Sequence, residues 1–300
     1  MKKSFWLILT LGLLLVGGAF FQLPDAKLHL VFCDVGQGDA ILIIQGSRQI
    51  LIDGGPNDKV LNCLSRHLPF WDRDLELVVL THPESDHITG LTSVIERYNV
   101  IEILSNSLPA ETGVFSKFRN QVIDHKIPVF SPKKGDIIKI GPLELKILYP
   151  LEKLGNELVW QNKQSLAVLG VSVYTGNFNQ TAIASELQYR SFKVLLPADI
   201  ESSEEKLIEN PGKVNVLKVA HHGSKYSSSE EFLEKIQPEV AVISVGANNR
   251  YGHPAAETLE RLKNLVLDRG GRPKILRTDL DGEIEIVSDG QSWKINQAGL

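Results

Sequence analysis

The chain is poor in sulfur, with two cysteines, Cys33 and Cys63, and one methionine among 300 residues. It has no CxxC pair and no Cys/His knuckle, which argues against a sulfur-ligated metal. Cys33 falls in a predicted strand and Cys63 in a predicted helix, and the expected state is two buried thiols. Charge of one sign is also missing: 32 Lys and Arg stand against 36 Asp and Glu, a net −4. Such a chain has no overall attraction for nucleic acid, so a polyanion would have to be held by a local basic lip or by bound metal. No low-complexity segment appears. What remains, 43% apolar and 23% charged residues, describes an ordinary globular chain whose core needs no staples.

The amino terminus stands apart. Lys2 and Lys3 precede residues 5–21, FWLILTLGLLLVGGAFF, which carry no charge. This reads as an export signal or a single anchor, a little short for a comfortable span. Gly17, Gly18 and Ala19 are followed by Phe20 and Phe21, a poor cleavage site, which favours an uncleaved membrane anchor with the rest of the chain outside the cytoplasm. A buried core helix is the bland alternative. Residues 1–25 are therefore set aside as signal or anchor, and 26–300 as one domain with no linker to split it.

Within that domain, strands are expected at 28–34, 40–44 and 49–53, joined by glycine-bearing turns into a meander. A helix follows at 58–67, where Val60, Leu61 and Leu64 share a face. Strand 77–81, a helix near 91–98, a strand at 101–104 and a helix at 113–125 come next, then strand pieces at 128–130, 136–140 and 143–148. The second half has the same grammar without the same sequence: strands at 165–174, 182–189 and 192–196, then helix and strand alternating to 275. Two strand-rich halves, each with a few helices, imply two packed sheets with helices outside, an αββα sandwich in the α/β class. A hairpin turning at Asp289-Gly290 seals an edge.

Chemistry concentrates where buried strands end. The apolar run Leu77 to Thr81 stops at His82-Pro83, and His82, Glu84, Asp86 and His87 then crowd one short loop. Imidazole and carboxylate together suit zinc, manganese or iron, although a lone HxxxDH also occurs in ordinary polar loops. The run Val194 to Leu196 ends at Asp199, which by itself could be a helix cap. Val214 to Ala220 ends at His221-His222, whose side chains should leave in different directions, one toward metal and one toward substrate or water. Val240 to Val245 leads to His253, alone an unremarkable loop residue. Four strands finishing in His or Asp, in a chain with eight His, point to a site built beyond strand ends. Asp53, in LIDGG, reads as a carboxylate that orients a ligand.

The segments DVGQGDA (34–40), LIDGG (51–55), LTHPESDHITGL (80–91), LLPAD (195–199), LKVAHHGSKYSSS (217–229), NRYGHP (249–254) and RTDLDGEIEI (277–286) resemble the metallo-β-lactamase superfamily. Within it they resemble the metallo-hydrolase domain of ComEC/Rec2-type competence proteins. The resemblance covers nearly all of residues 28–295. It implies an αββα fold with a metal site between the sheets, where metal-bound hydroxide attacks a phosphodiester or another ester. His82, Asp86 and His87 match the first ligand motif, and Asp199 matches the carboxylate that bridges two metals. One of His221 and His222 would complete the second metal, and the other, with His253, would face the scissile phosphate.

The sequence departs from the family pattern at three places. Glu84 stands where the superfamily usually has His and this subfamily often has Asp. The third-motif His is missing, its segment matching Asn179 to Ile183 with Ala182 where the subfamily tends to have Ser. Pro197-Ala198 replaces the usual Thr-Gly before Asp199. The many-helix channel that carries this domain in the transformation protein is absent from the sequence.

The expected function is a metal-dependent hydrolase outside the cytoplasm, a phosphodiesterase acting on nucleic acid with two zinc or manganese ions. Metal lowers the pKa of water from 15.7 toward about 7 and so supplies the nucleophile. Asp86 or Asp199 would orient the water, and a free His, His222 or His253, would serve the leaving group. The run Arg261, Lys263, Arg269, Arg272, Lys274, Arg277, opposed only by Asp268, could line one rim, or be a solvated surface without an aromatic platform. The alternatives are a hydrolase of another ester, lactone or β-lactam, and a metal-poor binding module without turnover.

Overall fold

A computed structural model describes residues 24–161, 163, 171–209 and 211–297. The uncharged segment 5–21 lies outside the described residues. Among those described, no helix is long and apolar enough to cross a membrane.

In chain order the strands are β1 (Leu28–Phe32), β2 (Ile41–Gln45), β3 (Arg48–Ile52), β4 (Asp74–Leu75), β5 (Leu77–Leu80), β6 (Asn99–Val100), β7 (Ile103–Ser105), β8 (Val129–Phe130) and β9 (Ile137–Ile140). They continue as β10 (Leu143–Tyr149), β11 (Ala184–Tyr189), β12 (Phe192–Leu196), β13 (Val216–Lys218), β14 (Val240–Ile243), β15 (Lys274–Arg277), β16 (Ile284–Ser288) and β17 (Trp293–Gln297). The α-helices are α1 (Lys59–His67), α2 (Ser85–Arg97), α3 (Gly113–Asp124), α4 (Ser202–Glu205), α5 (Glu230–Ile236), α6 (Ala256–Asn264) and α7 (Thr278–Asp281).

One sheet runs in the order β17-β16-β1-β2-β3-β5-β7-β8 and the other β15-β14-β13-β12-β11-β10-β9. Each is antiparallel on one side and parallel on the other: β3, β5, β7 and β8 run together in the first, and β12, β13, β14 and β15 in the second. Parallel neighbours need a crossover, and α1, α2, α5 and α6 supply it. The C-terminal hairpin crosses to the first sheet, where β16 pairs with β1 and β17 forms the edge, as the expected hairpin requires.

The alternation of side chains along each strand sorts the core into three layers. Leu30, Phe32, Ile50, Ile52, Leu77 and Val79 face Leu187, Val194, Leu196, Val216 and Val240 between the sheets. Their neighbours Leu42, Leu51, Val78 and Leu80 turn outward onto α1, α2 and α3. On the far side Leu195, Leu217, Ala241 and Ile243 turn toward α5 and α6. Each such aliphatic side chain, fully buried, contributes about 1.5–3 kcal/mol. Three apolar interfaces separate four layers, and the expected αββα sandwich is the observed one.

Three local expectations are corrected. Helix α2 begins at Ser85, well before 91, so Asp86 and His87 lie on its first turn rather than in a loop. Glu84 is still extended there, with ψ 151°, and an acidic residue in the first turn is favoured by the helix dipole. The strand expected at 165–174 falls largely outside the described residues, and 171–174 form no strand. Cys33 and Cys63 are not thiols but a disulfide, with Cα atoms 5.8 Å apart. The end of β1 and the buried face of α1 meet in the outer core layer, which brings the two Cβ atoms within bonding range.

A bridge across a sequence separation of 30 removes enough freedom from the unfolded chain to be worth about 3–4 kcal/mol. Replacing both Cys33 and Cys63 by Ala should lower unfolding stability by about that amount in a denaturant titration. A variant as stable as the parent would show that the bridge does not constrain the unfolded chain.

Candidate metal centre

The parallel strands of both sheets point their carboxyl ends at one edge, and the polar residues collect there. Asp53 follows β3, His82 follows β5, and Asp86 and His87 ride on the first turn of α2. From the second sheet come Asp199 after β12, Lys218 at the end of β13, and His222 beyond it. Asp39 enters from the loop between β1 and β2. His221 and His222 both have positive φ, 49° and 52°, a conformation that costs a non-glycine residue about 1–3 kcal/mol. That kink sends the two imidazoles apart. His222 turns inward, whereas His221 faces Asn179, with Nε2 3.4 Å from Asn179 Nδ2, and His253, with ring centroids 5.7 Å apart.

Three imidazoles are held in the same way. His87 donates from Nδ1 to Asp53 Oδ2 at 2.8 Å. His222 donates from Nδ1 to the Ser244 carbonyl at 2.9 Å. Nδ1 of His82 lies 3.0 Å from Thr81 Oγ1, and that hydroxyl donates onward to Asp53 Oδ2 at 2.7 Å. Each ring therefore spends Nδ1 on an orienting partner, which leaves Nε2 as the free position. All three Nε2 atoms are buried and have no hydrogen-bond partner. They converge on the carboxylates: Asp199 Oδ2 lies 3.2 Å from His222 Nε2 and 3.4 Å from His87 Nε2, and Asp86 Oδ2 lies 3.5 Å from His222 Nε2.

The other oxygen of Asp199 is taken by a buried cation. Lys218 Nζ lies 3.2 Å from Asp199 Oδ1, pairs also with Asp39 Oδ2, and donates to the Ala198 carbonyl at 3.1 Å. Burial opposes charge on this ammonium, but Asp39 and Asp199 outweigh it and raise its pKa. Burial likewise opposes ionisation of Asp199, yet His222, Lys218 and His87 hold its carboxyl well below the usual range. Against the same burial, Asp199 and Asp39 push His222 up to about 10, and Asp199 and Asp53 raise His87. The field at this edge calls for positive charge, which protons supply when nothing else does. A divalent cation displacing those protons would meet the same field.

The residues therefore fit a metal ion. At this edge the groups whose ligand atoms all lie within 4.8 Å of one another are His82, His87 and Asp199; Asp86, His87 and His222; Asp39, Asp199 and His222; and Asp39, Asp53 and His87, the last through the Nδ1 side of His87 that Asp53 orients. Of the expected ligands, His82, Asp86, His87, Asp199 and His222 are brought together. Glu84 and His221 belong to no such group among the described residues. Glu84 is the extended residue that precedes α2, and burial together with Asp86 raises its pKa. In the third-motif segment, Asn179 rather than the buried Ala182 meets the site, and its Oδ1 has no partner.

Sequence reasoning missed Asp39, Lys218 and Asn179. A lone lysine inside the apolar run 214–220 was the available signal, because a buried lysine requires partners. Of the basic run that could line a rim, three members are engaged within the protein. Arg261 donates to the Ser227 and Ser228 carbonyls, Arg269 pairs with Glu239, and Arg277 pairs with Asp279. Within its bounds the run has only Asp268 against it, but Asp279 lies two residues past its end and the fold brings Glu239 to it.

The sequence model described as the metallo-beta-lactamase superfamily matches residues 33–247. The chain is 26% identical to ComE operon protein 3 of Bacillus subtilis, over 84% of this chain and 32% of that protein. It is 27% identical to Recombination protein 2 of Haemophilus influenzae, over 99% of this chain and 33% of that protein. The chain thus spans about a third of the length of these relatives. Among solved structures, the metallo-beta-lactamase fold protein YhfI from Bacillus subtilis superimposes with a TM-score of 0.52 at 11% identity, covering 84% of this chain and 97% of that one. CmlA, a diiron β-hydroxylase from Streptomyces venezuelae, gives 0.51 at 14%, covering 92% and 55%. At these identities the two structures share the fold alone.

Two predictions follow from the geometry. Asp53→Asn leaves one oxygen where the Thr81 amide and His87 Nδ1 each use one, and should weaken divalent-metal binding about 10–100-fold, whereas Glu84→Gln should leave metal per chain unchanged. A competition titration against a chelator reads both, and a Glu84→Gln protein short of one ion would return Glu84 to the ligand set. Lys218→Met leaves buried Asp39 without its ammonium partner and one oxygen of Asp199 unpaired, and should destabilise the metal-free protein by about 3–5 kcal/mol in a denaturant titration. A loss under about 1 kcal/mol would show that the Lys218 ammonium does not neutralise them.

Proposed function

The chain belongs to the metallo-beta-lactamase superfamily of hydrolases, and from that premise we propose that it is a metal-dependent phosphodiesterase acting on nucleic acid outside the cytoplasm. The observation that carries the reading is the set of three orphaned Nε2 atoms, on His82, His87 and His222, converging beside Asp86 and Asp199. Such a donor set of nitrogen and carboxylate oxygen suits zinc or manganese, and because one imidazole nitrogen serves one ion, His82, His87 and Asp199 would serve one ion and Asp86 and His222 a second. When bound, the ions supply a Lewis acid and an acidified water, which the chain's few nucleophilic side chains at this edge do not.

The protein's own groups divide the remaining work. Asp199 offers one oxygen, Oδ2, to the centre while Lys218 holds the other, so the carboxylate cannot swing. Asp86, on the rigid first turn of α2, orients the attacking water. His221 and His253 stand outside the cluster on the substrate side. Burial, with charge on His222, holds His253 at about 4, and burial lowers His221 as well. Both are neutral at pH 7 and hydrogen-bond the phosphoryl oxygens without competing for their charge. Similarity to proteins named for competence and recombination favours a nucleic-acid substrate. The uncharged segment 5–21 and the buried disulfide favour a place outside the reducing cytoplasm.

The full chain, stripped with chelator and reloaded with zinc or manganese, should recover hydrolysis of bis(p-nitrophenyl) phosphate and of a labelled oligonucleotide. Asp199→Ala should lose both metal and turnover. Hydrolysis of a β-lactam or carboxylic ester without phosphodiester turnover would overturn the substrate reading. Absence of bound metal after reloading would leave a binding module in its place.

A further inference from the structure

Two basic–tyrosine dipeptides bracket the centre. Lys225-Tyr226 lies in the loop after His222, and Arg250-Tyr251 lies just before His253. Both rings are 60% exposed, against a neighbourhood in which His82, His87, Asp199 and His222 are buried. The Tyr251 ring lies parallel to His253, at 17° with centroids 6.0 Å apart, and His253 in turn adjoins His221. The Tyr226 carbonyl accepts from the Ser202 backbone at 2.9 Å, which fixes the loop beside the chain that leaves Asp199. Lys225 Nζ sits 5.1 Å from the Tyr226 ring.

These rings are not exposed because their loops are slack. The guanidinium of Arg261 donates to the carbonyls of Lys225, Ser227 and Ser228 at 3.1, 2.8 and 2.9 Å, clamping the backbone on both sides of Tyr226. Asn249 Oδ1 accepts from the backbone of Tyr251 and His253 at 3.1 and 3.0 Å, and Asn249 Nδ2 donates to Gly246 and His253 carbonyls. A side chain that the protein holds in place yet leaves open to water is pre-organised to receive something flat and apolar.

We propose that Tyr226 and Tyr251 are base-stacking platforms that make the site selective for single-stranded nucleic acid, with Lys225 and Arg250 on the flanking phosphates. The proposal rests on the phosphodiesterase reading and names the substrate within it. In a duplex the base faces are already covered by their neighbours, so only a strand with unstacked bases can cover a tyrosine ring. Tyr251 lies against His253, and the Tyr226 backbone is tied to Ser202, three residues past Asp199, so a base stacked on either ring would lie near the phosphate that the centre would hold. The two residues are specificity determinants and take no part in bond breaking.

The test is a binding titration on the full chain with a phosphorothioate-linked oligothymidylate, the same oligomer with abasic nucleotides, and its duplex with oligodeoxyadenylate. Tyr226→Ala and Tyr251→Ala should each weaken binding of the single strand about tenfold, and Tyr251→Phe should stay within about twofold of the parent. The abasic oligomer should bind the parent and both Ala variants alike, and duplex binding should not respond to either change. Parent-like binding by both Ala variants, an equal loss on the abasic oligomer, or no binding of the single strand by the parent would each overturn the proposal. Turnover of bis(p-nitrophenyl) phosphate by the parent, measured alongside, separates the outcomes. Turnover with unaltered Ala variants removes the platforms and keeps the hydrolase, whereas platform-dependent binding without turnover does the reverse.

Discussion

Asp199 is a carboxylate taken almost wholly out of water, 2% exposed, and much of the edge of the sandwich is arranged to make that tolerable. An unpaired buried anion would cost several kcal/mol, so each oxygen needs a positive neighbour. Lys218 answers one oxygen from the adjacent strand, and His222 and His87 answer the other. His87 belongs to α2, which packs on the first sheet, whereas Asp199, Lys218 and His222 belong to the second. Asp39, from the first sheet's opening turn, closes the circuit onto Lys218. The apolar interface between the sheets is non-directional and would accept a small slide. The ionic circuit would not, because sliding the sheets separates Asp39 from Lys218 and His87 from Asp199 together.

Distance along that edge is set by glycine. A Cβ at Gly90 would lie 1.9 Å from the Gly54 carbonyl oxygen, and one at Gly38 would lie 2.1 Å from the Asp86 carbonyl oxygen. Backbone meets backbone at both places, so no side-chain rearrangement could make room. The first contact lets α2 lie directly against the end of β3, where Asp53 reaches His87. The second lets the turn between β1 and β2 close over the first turn of α2, bringing Asp39 toward the circuit. The segments DVGQGDA, LIDGG and HITGL are thus parts of one packing arrangement around the start of α2.

What could be read from the sequence follows the range of the interactions involved. The two packed sheets, the hairpin and the gathering of His82, Asp86, His87, Asp199 and one of the His221–His222 pair were legible because alternation and strand ends are local signals and the segments resemble a known family, whereas the choice of His222 over His221 depends on the kink between them. The role of Asp53 was legible for the same reason, as a carboxylate at a strand end beside a glycine pair. The Cys33–Cys63 bridge was not, since it depends on how α1 packs across β1, and neither residue carries a local mark of its partner. The early start of α2 was hidden by Pro83 and by a polar first turn that reads as loop. Lys218 escaped because an apolar run was taken as uniformly apolar, and the partners that explain it are distant in sequence. The basic run misled in the opposite way, since Glu239 reaches Arg269 only on folding and Asp279, two residues past the run's end, takes up Arg277.

The same field that gathers charge at the centre also divides the histidines. His87 and His222 face carboxylates, and their imidazoles are raised, His222 to about 10. His221 and His253, a few ångströms farther out, face those charged rings instead, and burial and repulsion hold them down, His253 to about 4. One set is the place where a cation is wanted, and the other is the place where a further cation is resisted. The boundary between them runs through the kink at His221-His222, where two adjacent residues in left-handed conformation point to opposite sides. A helix would leave adjacent side chains only about 100° apart, and a strand would part them but carry the chain straight on past the site instead of turning it here. The strain in this turn is therefore the means by which one segment of chain serves both the centre and the surface that faces the substrate.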